Sequence, residues 1–149
     1  MSNPKIAITI PPESKLLKEY CSVSTAAKGK HWSEKCLNGL EKNRGVYIFH
    51  HENAVKYVGM TGGKHMNFGV RLRRHLQQSA APKRTYERFK ALKRLRVSFL
   101  TDKQIVEFIK LPRRVDGKVP KSIILLMEAA LIHSYSPEFQ RGKDEPKSS

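Results

Sequence analysis

The chain is poor in cysteine and has no long apolar run, and both shortages exclude classes of protein. Its 149 residues include only two cysteines, Cys21 and Cys36, and neither has a Cys or His partner at the spacing of a zinc site. We expect free thiols in a reducing compartment, the cytoplasm, rather than a disulfide framework. The longest apolar stretch, residues 123–132, carries a charge and falls well below the ~20 residues needed to cross a bilayer, so we expect a buried helix there.

Acidic residues are also scarce, and their scarcity indicates the kind of partner. The chain has 29 Lys and Arg residues against 13 Asp and Glu residues, which gives a formal net charge of +16. An excess of this size implies a polyanionic partner. Nucleic acid is the first candidate, because neutralising its phosphates releases condensed counterions and supplies sequence-independent affinity. Charge alone does not distinguish DNA from RNA, and an anionic membrane surface is the second candidate.

The length suits one compact domain with a real core. We divide the chain into an N-terminal extension packed on the core at residues 1–43, a domain at residues 44–140 and a disordered tail at residues 141–149. The extension contains one predicted short strand at residues 5–10 and two weak helical patterns at residues 13–20 and 32–40.

Residues 44–60 contain two β-rich runs that predict a hairpin. The runs flank residues 51–53, where Asn53 tolerates left-handed backbone and so suits a short loop. If the loop consists of those three residues, Tyr47 faces Tyr57 across the strands. Because side chains alternate with period two, an odd shift of register would send the two phenols to opposite faces.

A helix is predicted at residues 68–79, after a turn at Thr61-Gly62-Gly63. Its buried stripe is Phe68, Leu72 and Leu76, at successive i+4 steps. Arg71 and His75 each precede a residue of this stripe and are themselves four residues apart, so they form a second stripe beside it. This places them together on the rim of a groove.

The rest of the domain alternates helical and strand patterns. Pro82 begins a basic helical segment at residues 84–94, followed by a strand at residues 95–100. Asp102 is a candidate cap for a short helix that extends to residue 110. After a loop at residues 113–118, Pro120 suits the first turn of a helix that extends to about Tyr135.

Glu128 is the most informative residue, because its helix is apolar on almost every side. Burying an ionised carboxylate without a partner is costly enough that the group would rather neutralise. A divalent metal or an arginine would satisfy it, and Mg²⁺ is often held by one carboxylate together with waters and a substrate phosphate. The residue pattern alone leaves the ion pair and the metal ligand at even odds.

Arg71, His75, Tyr47 and Tyr57 each have an ordinary structural interpretation and a chemical one. The arginine is either a solvated surface charge or a clamp for phosphate oxygens. The histidine is either a helix-surface residue or a proton carrier near neutral pH. The tyrosines are either cross-strand packing residues or, paired on one face, groups that position water.

The order and spacing of five elements resemble the GIY-YIG nuclease superfamily over residues 44–140. These elements are Gly45-Val46-Tyr47, Tyr57-Val58-Gly59, Arg71, His75 and Glu128. The resemblance implies an α+β fold with a small three-stranded antiparallel sheet flanked by helices. It also implies phosphodiester hydrolysis that depends on a divalent metal, Mg²⁺ or Mn²⁺.

The resemblance further implies a role for each matching residue. Glu128 would bind the metal on the scissile phosphate, Tyr47 would activate or orient the attacking water with help from Tyr57 and His75, and Arg71 would steady the phosphate. We expect all five side chains to line one concave, positively charged surface.

Gly59 and Gln140 would support this site. The family usually has an Asn shortly after a proline beyond the glutamate helix, whereas here Pro137 leads to Gln140, which carries the same amide one methylene further out. Six basic residues are candidates for nucleic-acid contacts: Lys64, Arg73, Arg74, Lys83, Arg84 and Arg88.

Our hypothesis from the sequence is a DNA endonuclease with a restriction or mobile-element role, with a repair role as the next choice. Specificity would come from residues 1–43, from the basic segment at residues 83–96, or from a homodimer. The rival hypothesis is a non-catalytic nucleic-acid-binding module that keeps the nuclease fold, and RNA is an alternative partner.

Overall fold

The computed structural model describes residues 6–27, 30–78, 83–113, 115 and 117–140, and for residues 83–85 it describes the backbone alone. The expected tail at residues 141–149 lies outside the described residues. No helix within the described part of the chain is long and apolar enough to span a membrane.

The main sheet is antiparallel and has four strands. They are β2 (Cys21–Val23), β3 (Gly45–His51), β4 (Ala54–Thr61) and β5 (Leu95–Thr101), in the spatial order β2, β5, β3, β4. The expected sheet of three strands is present as β5, β3 and β4. The fourth strand comes from the N-terminal extension, where Cys21 and Val23 face inward and pair with the outer edge of β5. A run of three residues is too short to show the period-two pattern in the sequence.

The hairpin between β3 and β4 differs from the expected one in its turn and in its register. Its turn has two residues, Glu52 and Asn53, which both have positive φ (51° and 64°), and turns of this kind match the twist of the flanking strands. A bulge then leaves Lys56 unpaired, so that Tyr47 lies opposite Gly59 and Phe49 opposite Tyr57. The predicted direct pairing of the two tyrosines is therefore wrong by two positions.

The bulge at Lys56 decides which face Tyr57 occupies. A two-residue turn with no bulge would pair Tyr47 with Val58 and send the phenol of Tyr57 to the opposite face. The extra residue restores the even register, and the Tyr47 and Tyr57 ring centroids lie 6.3 Å apart at the same face.

Helices cover both faces of the main sheet. The first face packs against α1 (Glu13–Leu16), α4 (Asp102–Glu107) and α5 (Lys121–Tyr135), and its buried residues include Val46, Ile48, Val58, Ile124 and Met127. The second face packs against a 3₁₀ helix (Glu34–Leu37), α2 (Phe68–Leu76) and α3 (Lys83–Lys90), and its buried residues include Tyr47, Phe49, Phe68, Leu72 and Phe89. The alternation along β3 thus separates an aliphatic core from an aromatic one.

Several element boundaries differ from the expected ones for local reasons. The predicted stripe of α2 is fully buried, but the helix ends at Leu76, because the backbone N–H of Gln78 bonds to Ala26 instead of continuing the helix. Thr101, not Asp102, caps α4 in a capping box with Gln104. The short strand predicted at residues 5–10 is β1 (Ala7–Ile8), which pairs with β6 (Ile109–Lys110) in a separate small sheet. Both cysteines are free.

Candidate active site

Tyr47 lies at the centre of the aromatic core, directly over Gly59 on the neighbouring strand. The two residues are cross-strand partners, and a Cβ at position 59 would lie only 2.3 Å from the Tyr47 ring. No side chain fits there, so glycine is required for the ring to lie flat across β4. The glycine of Tyr57-Val58-Gly59 therefore has a direct steric reason.

Tyr57 and His75 complete an aromatic cluster around Tyr47. The His75 ring centroid lies 5.0 Å from that of Tyr57 and 5.5 Å from that of Tyr47. His75 reaches them because it lies near the end of α2, which packs its Leu72 and Leu76 side chains into the same core. One hairpin and one helix thus bring together rings that are distant in the sequence.

Tyr47 and His75 share a short hydrogen bond between the phenol oxygen and Nε2, at 2.7 Å. Burial, with a smaller contribution from the charges of Arg71 and Arg74, lowers the pKa of His75 to about 3, so the imidazole is neutral near neutral pH. Burial also raises the pKa of the Tyr47 phenol, and the neighbouring Tyr57 adds to that effect. A neutral phenol therefore shares a hydrogen bond with a neutral imidazole.

Arg71 lies beside the Tyr47 hydroxyl, and its charge partly offsets the effect of burial on the pKa of that phenol. The Arg71 side chain is half-buried, and its Nε atom is buried with no hydrogen-bond partner in the described structure. A buried donor without a partner costs about 1–3 kcal/mol, and a phosphate oxygen is the acceptor that a planar guanidinium pairs with best. The guanidinium is therefore placed where it could donate to a phosphate oxygen as its partner.

Glu128 extends from α5 and comes within the electrostatic reach of Arg71 and Tyr47. Burial raises the pKa of this carboxyl, while the Arg71 charge opposes the increase. Glu128 makes no direct ion pair with any residue that the structure describes. Glu128 and Arg71 therefore attract each other at longer range and do not form a direct ion pair.

The residues around Glu128 suit a divalent cation with few protein ligands, and they do not form a site in which the protein supplies all the ligands. Within the described part of the chain, no three His, Cys, Asp or Glu side chains cluster as metal ligands. Mg²⁺ needs no such cage, because it keeps several waters and takes one or two carboxylates together with substrate phosphates. The single half-buried carboxylate beside the partnerless Arg71 donor satisfies this description.

The five predicted residues come together, although at different depths. Tyr47 is 0% exposed and His75 is 5% exposed, so both lie beneath the surface. Tyr57, Arg71 and Glu128 are partly exposed above them. Only the last three line a surface, and the first two act from below it.

Gln140 holds the outer edge of β4 beside this site. Its amide nitrogen donates to the Val58 carbonyl at 2.9 Å, and its amide oxygen accepts from the Val58 N–H at 3.0 Å. The backbone N–H of Phe139 donates to the carbonyl of the bulged Lys56 at 2.8 Å. The segment after α5 thus substitutes for a neighbouring strand along residues 56–58.

The predicted nucleic-acid contacts have different local environments. Lys64 and Arg74 are exposed, and Arg73 is half-buried with a buried Nε that has no hydrogen-bond partner in the described structure. Arg88 donates from NH1 to the Phe139 carbonyl at 3.1 Å and lies over the Phe139 ring, so part of its binding capacity is used within the protein. The side chains of Lys83 and Arg84 lie outside the described residues.

The sequence pattern missed Phe139 and Lys56, which fix the border of the site. Lys56 and Arg88 lie on the Phe139 ring at 5.9 and 5.6 Å from its centroid, and Phe139 packs on Phe89 at 5.6 Å. No local motif marks these residues, since all the partners of Phe139 are far from it in the sequence. Only the docking of residues 137–140 on β4 brings them together.

No protein-family model matches the chain, and no curated protein sequence matches it. Among solved structures, the chain is similar to the GIY-YIG N-terminal endonuclease domain of UvrC from Thermotoga maritima. A point mutant of that domain, bound to the catalytic divalent cation, has a TM-score of 0.45 and 17% identity, over 72% of this chain and 97% of that one. The magnesium-bound domain has a TM-score of 0.43 and 18% identity, over 72% and 98% of the two chains. At this low similarity, the assignment of a function depends on the residues of the site.

Proposed function

We propose that this chain is a GIY-YIG endonuclease that hydrolyses phosphodiester bonds in DNA with the help of a divalent metal ion. One observation carries the proposal. The Tyr47–His75 pair is buried beneath Arg71, whose Nε donor has no partner in the described structure, and Tyr47 lies within electrostatic reach of Glu128. A core built only for stability has no need to bring a carboxylate, a guanidinium and a phenol together.

In this mechanism the buried pair orients the attacking water. The water, held at the surface beside Tyr57, would hydrogen-bond to the Tyr47 oxygen, and the hydrogen bond between Tyr47 and Nε2 of His75 would fix the direction of that hydroxyl. The water gives up its proton to solvent as it attacks. Its oxygen forms the new P–O bond, and the leaving oxygen departs and takes a proton from solvent. Because the pKa of His75 lies at about 3, the imidazole stays neutral over the whole physiological range and keeps its hydrogen bond to Tyr47.

Arg71 would act on the charge of the phosphate, and Glu128 would act through a metal ion. The free Nε donor of Arg71 would bind a phosphate oxygen and stabilise the negative charge that develops there. Glu128 would hold a Mg²⁺ or Mn²⁺ ion. When bound, such an ion supplies Lewis-acid stabilisation of the phosphate and the leaving oxygen.

A restriction or mobile-element role remains our preferred biological setting, with repair next. Direct reading of a recognition sequence would then require contacts from the N-terminal extension, from the basic segment or from a second copy of the chain. The competing proposal, a non-catalytic nucleic-acid-binding module, is motivated by Gln140 at the position where the family has Asn. Its bidentate contact with Val58 weighs against a loss of support at that position.

The decisive experiment removes the charge of Glu128. Glu128→Gln keeps the shape but removes the charge that would hold the metal, so plasmid nicking in Mg²⁺ should fall by on the order of 10²–10³ or more. Duplex binding in EDTA should be unchanged. The thermal midpoint should stay level or rise, because burial already disfavours the charged form.

Glu107→Gln, on the exposed surface of α4, is the matched control and should nick at the parental rate. Parental protein that binds duplex DNA but does not nick it in Mg²⁺ or Mn²⁺ would support the non-catalytic module. Parental-rate cleavage by Glu128→Gln would remove Glu128 from the metal site.

A further inference from the structure

A cavity of about 630 Å³ lies in the N-terminal extension, between β2 and the 3₁₀ helix, and the proposed chemistry does not use it. Its described lining contains no carboxylate. The polar side chains that line it include hydroxyls, a lysine and a histidine: Ser22, Ser24, Thr25, Ser33, Lys30 and His31. Hydroxyl donors with a lysine and no acidic group are the composition that binds phosphate.

This cavity is attached to the helix that carries two of the proposed active-site residues. The backbone N–H of Ala26 donates to the Leu76 carbonyl at 2.8 Å, at the end of α2. The Gln77 side-chain oxygen accepts from the backbone N–H of Trp32 at 3.0 Å. Trp32 is 4% exposed, so its ring anchors the cavity wall in the aromatic core. The position of the cavity relative to Arg71 is therefore fixed by buried contacts.

We propose that the cavity is a second backbone-phosphate site, which binds the DNA strand a few nucleotides from the bond that is cleaved. The identity of the strand as DNA rests on the proposed function. Gln77 follows the last turn of α2 and bonds to Trp32 in the cavity lining, so the cavity lies beyond the end of the helix that carries Arg71. A strand bound by Arg71 that continues along α2 would reach the cavity within a few nucleotides.

The site gives the N-terminal extension a function beyond completing the sheet. A phosphate held at each end of this span of α2 would fix the direction of the strand across Tyr57 and Arg71. Phosphate contacts of this kind set register and orientation and carry no sequence information. The extension would then position the substrate, and any sequence preference would come from other contacts.

The test compares two double variants in duplex binding at several salt concentrations, in EDTA so that no cleavage occurs. Lys30→Ala with His31→Ala removes the lysine and the histidine of the cavity lining, which are both exposed. Lys18→Ala with His133→Ala removes the same two residue types from exposed positions elsewhere. In a plot of log affinity against log salt, the cavity variant should have a slope shallower by about 0.9 for each phosphate that it no longer binds. The control variant should keep the parental slope.

A second measurement locates the contact on the DNA. A single neutral methylphosphonate is placed at each position in turn. Parental affinity should fall at one position a few nucleotides from the cleaved bond, and the cavity variant should be indifferent to a substitution at that position. Ser24→Asp, which adds a carboxylate to the rim, should weaken binding in the same way without removing a cation.

Each outcome separates this inference from the proposed function. Equal slopes for the cavity and control variants, or methylphosphonate interference that persists in the cavity variant, would overturn the second phosphate site and leave the nuclease proposal intact. Parental protein that does not bind duplex DNA at all would overturn both.

Discussion

Gly59 is required by the ring that lies over it. The sheet brings the Tyr47 phenol across β4 at a distance that leaves no room for a Cβ at position 59. The hydroxyl of that ring in turn meets the imidazole of His75 and the guanidinium of Arg71. The absence of one methyl group therefore determines where the hydrogen-bonded Tyr47–His75 pair is held.

Gly59→Ala should reduce both stability and cleavage. The new methyl group would displace the Tyr47 ring, and overpacking of a close-packed core costs about 1–3 kcal/mol. We expect a lower urea midpoint, together with a loss of nicking activity in protein that is still folded, because the hydroxyl moves away from His75.

Gly63→Ala is the matched control, since a Cβ there would meet only Met66, at an ordinary contact distance of 3.4 Å. It should change neither property by a measurable amount. A Gly59→Ala protein with the parental urea midpoint and nicking rate would contradict the steric account of this motif.

At the scale of elements, the exposed edge of β4 is closed by a short segment instead of a strand. A free sheet edge leaves backbone donors and acceptors unpaired and invites association with other chains. Gln140 satisfies both backbone groups of Val58, and Phe139 bonds to the bulged Lys56. The segment thus stabilises the bulge that brings Tyr57 onto the face of Tyr47.

Gln140→Ala should therefore destabilise the hairpin and the site together. Loss of two hydrogen bonds at about 1 kcal/mol each predicts a fall of roughly 2 kcal/mol in the unfolding free energy. Amide exchange in β4 should become faster at Val58, and nicking should weaken as Tyr57 becomes mobile.

Glu138→Ala, in the same segment, removes only an ion pair with Lys56 whose carboxylate is 59% exposed. Exposed pairs are worth about 0–1 kcal/mol, so this variant should lose little. Equal effects of the two substitutions would mean that the amide contact with Val58 does not hold the edge.

At the scale of the whole molecule, two buried histidines couple the fold to pH. His75 lies among the rings of the aromatic core, and His50 lies on the opposite face of the sheet, where its Nε2 atom meets the Ser98 hydroxyl at 2.9 Å. Burial is the main cause that lowers the pKa of His50 to about 4, with a contribution from the Arg96 charge, and that of His75 to about 3. Both side chains are neutral in the folded protein over the range where the unfolded chain, with a histidine pKa of about 6.5, takes up protons.

The unfolding free energy should therefore be level above about pH 6.5 and fall as the pH decreases from about 6.5 toward 4. The unfolded state binds up to two more protons than the folded state in that window, so the slope should approach about 2.7 kcal/mol per pH unit. Urea unfolding at about pH 7, 6 and 5 measures the unfolding free energy at each pH and so gives this slope.

His50→Gln keeps an amide that can bond to Ser98 but removes one of the two titrations. In this variant the slope of the unfolding free energy against pH should fall toward the value expected for one proton. A stability that stays constant over the same pH range in the parental protein would show that the histidines are not buried in their neutral form.

The sequence by itself was sufficient to predict the elements whose residues repeat at a regular spacing. The α2 stripe and the apolar helix around Glu128 are local patterns, and the order of the motif carried the resemblance that implied an α+β fold with five candidate site residues. Burial selects side chains at every third or fourth position in a helix and at every second position in a strand, and this regularity can be read along the chain.

Only the tertiary structure decided the register of the strands, the burial of the site residues and the contacts at the edge of β4. The bulge at Lys56, the fourth strand β2 and the attachment of Gln140 to Val58 depend on partners as many as 82 residues apart. The burial of Tyr47 and His75 beneath Arg71 is likewise set by how α2 packs on the sheet. These features follow from packing between distant segments, for which a single sequence carries no periodic pattern.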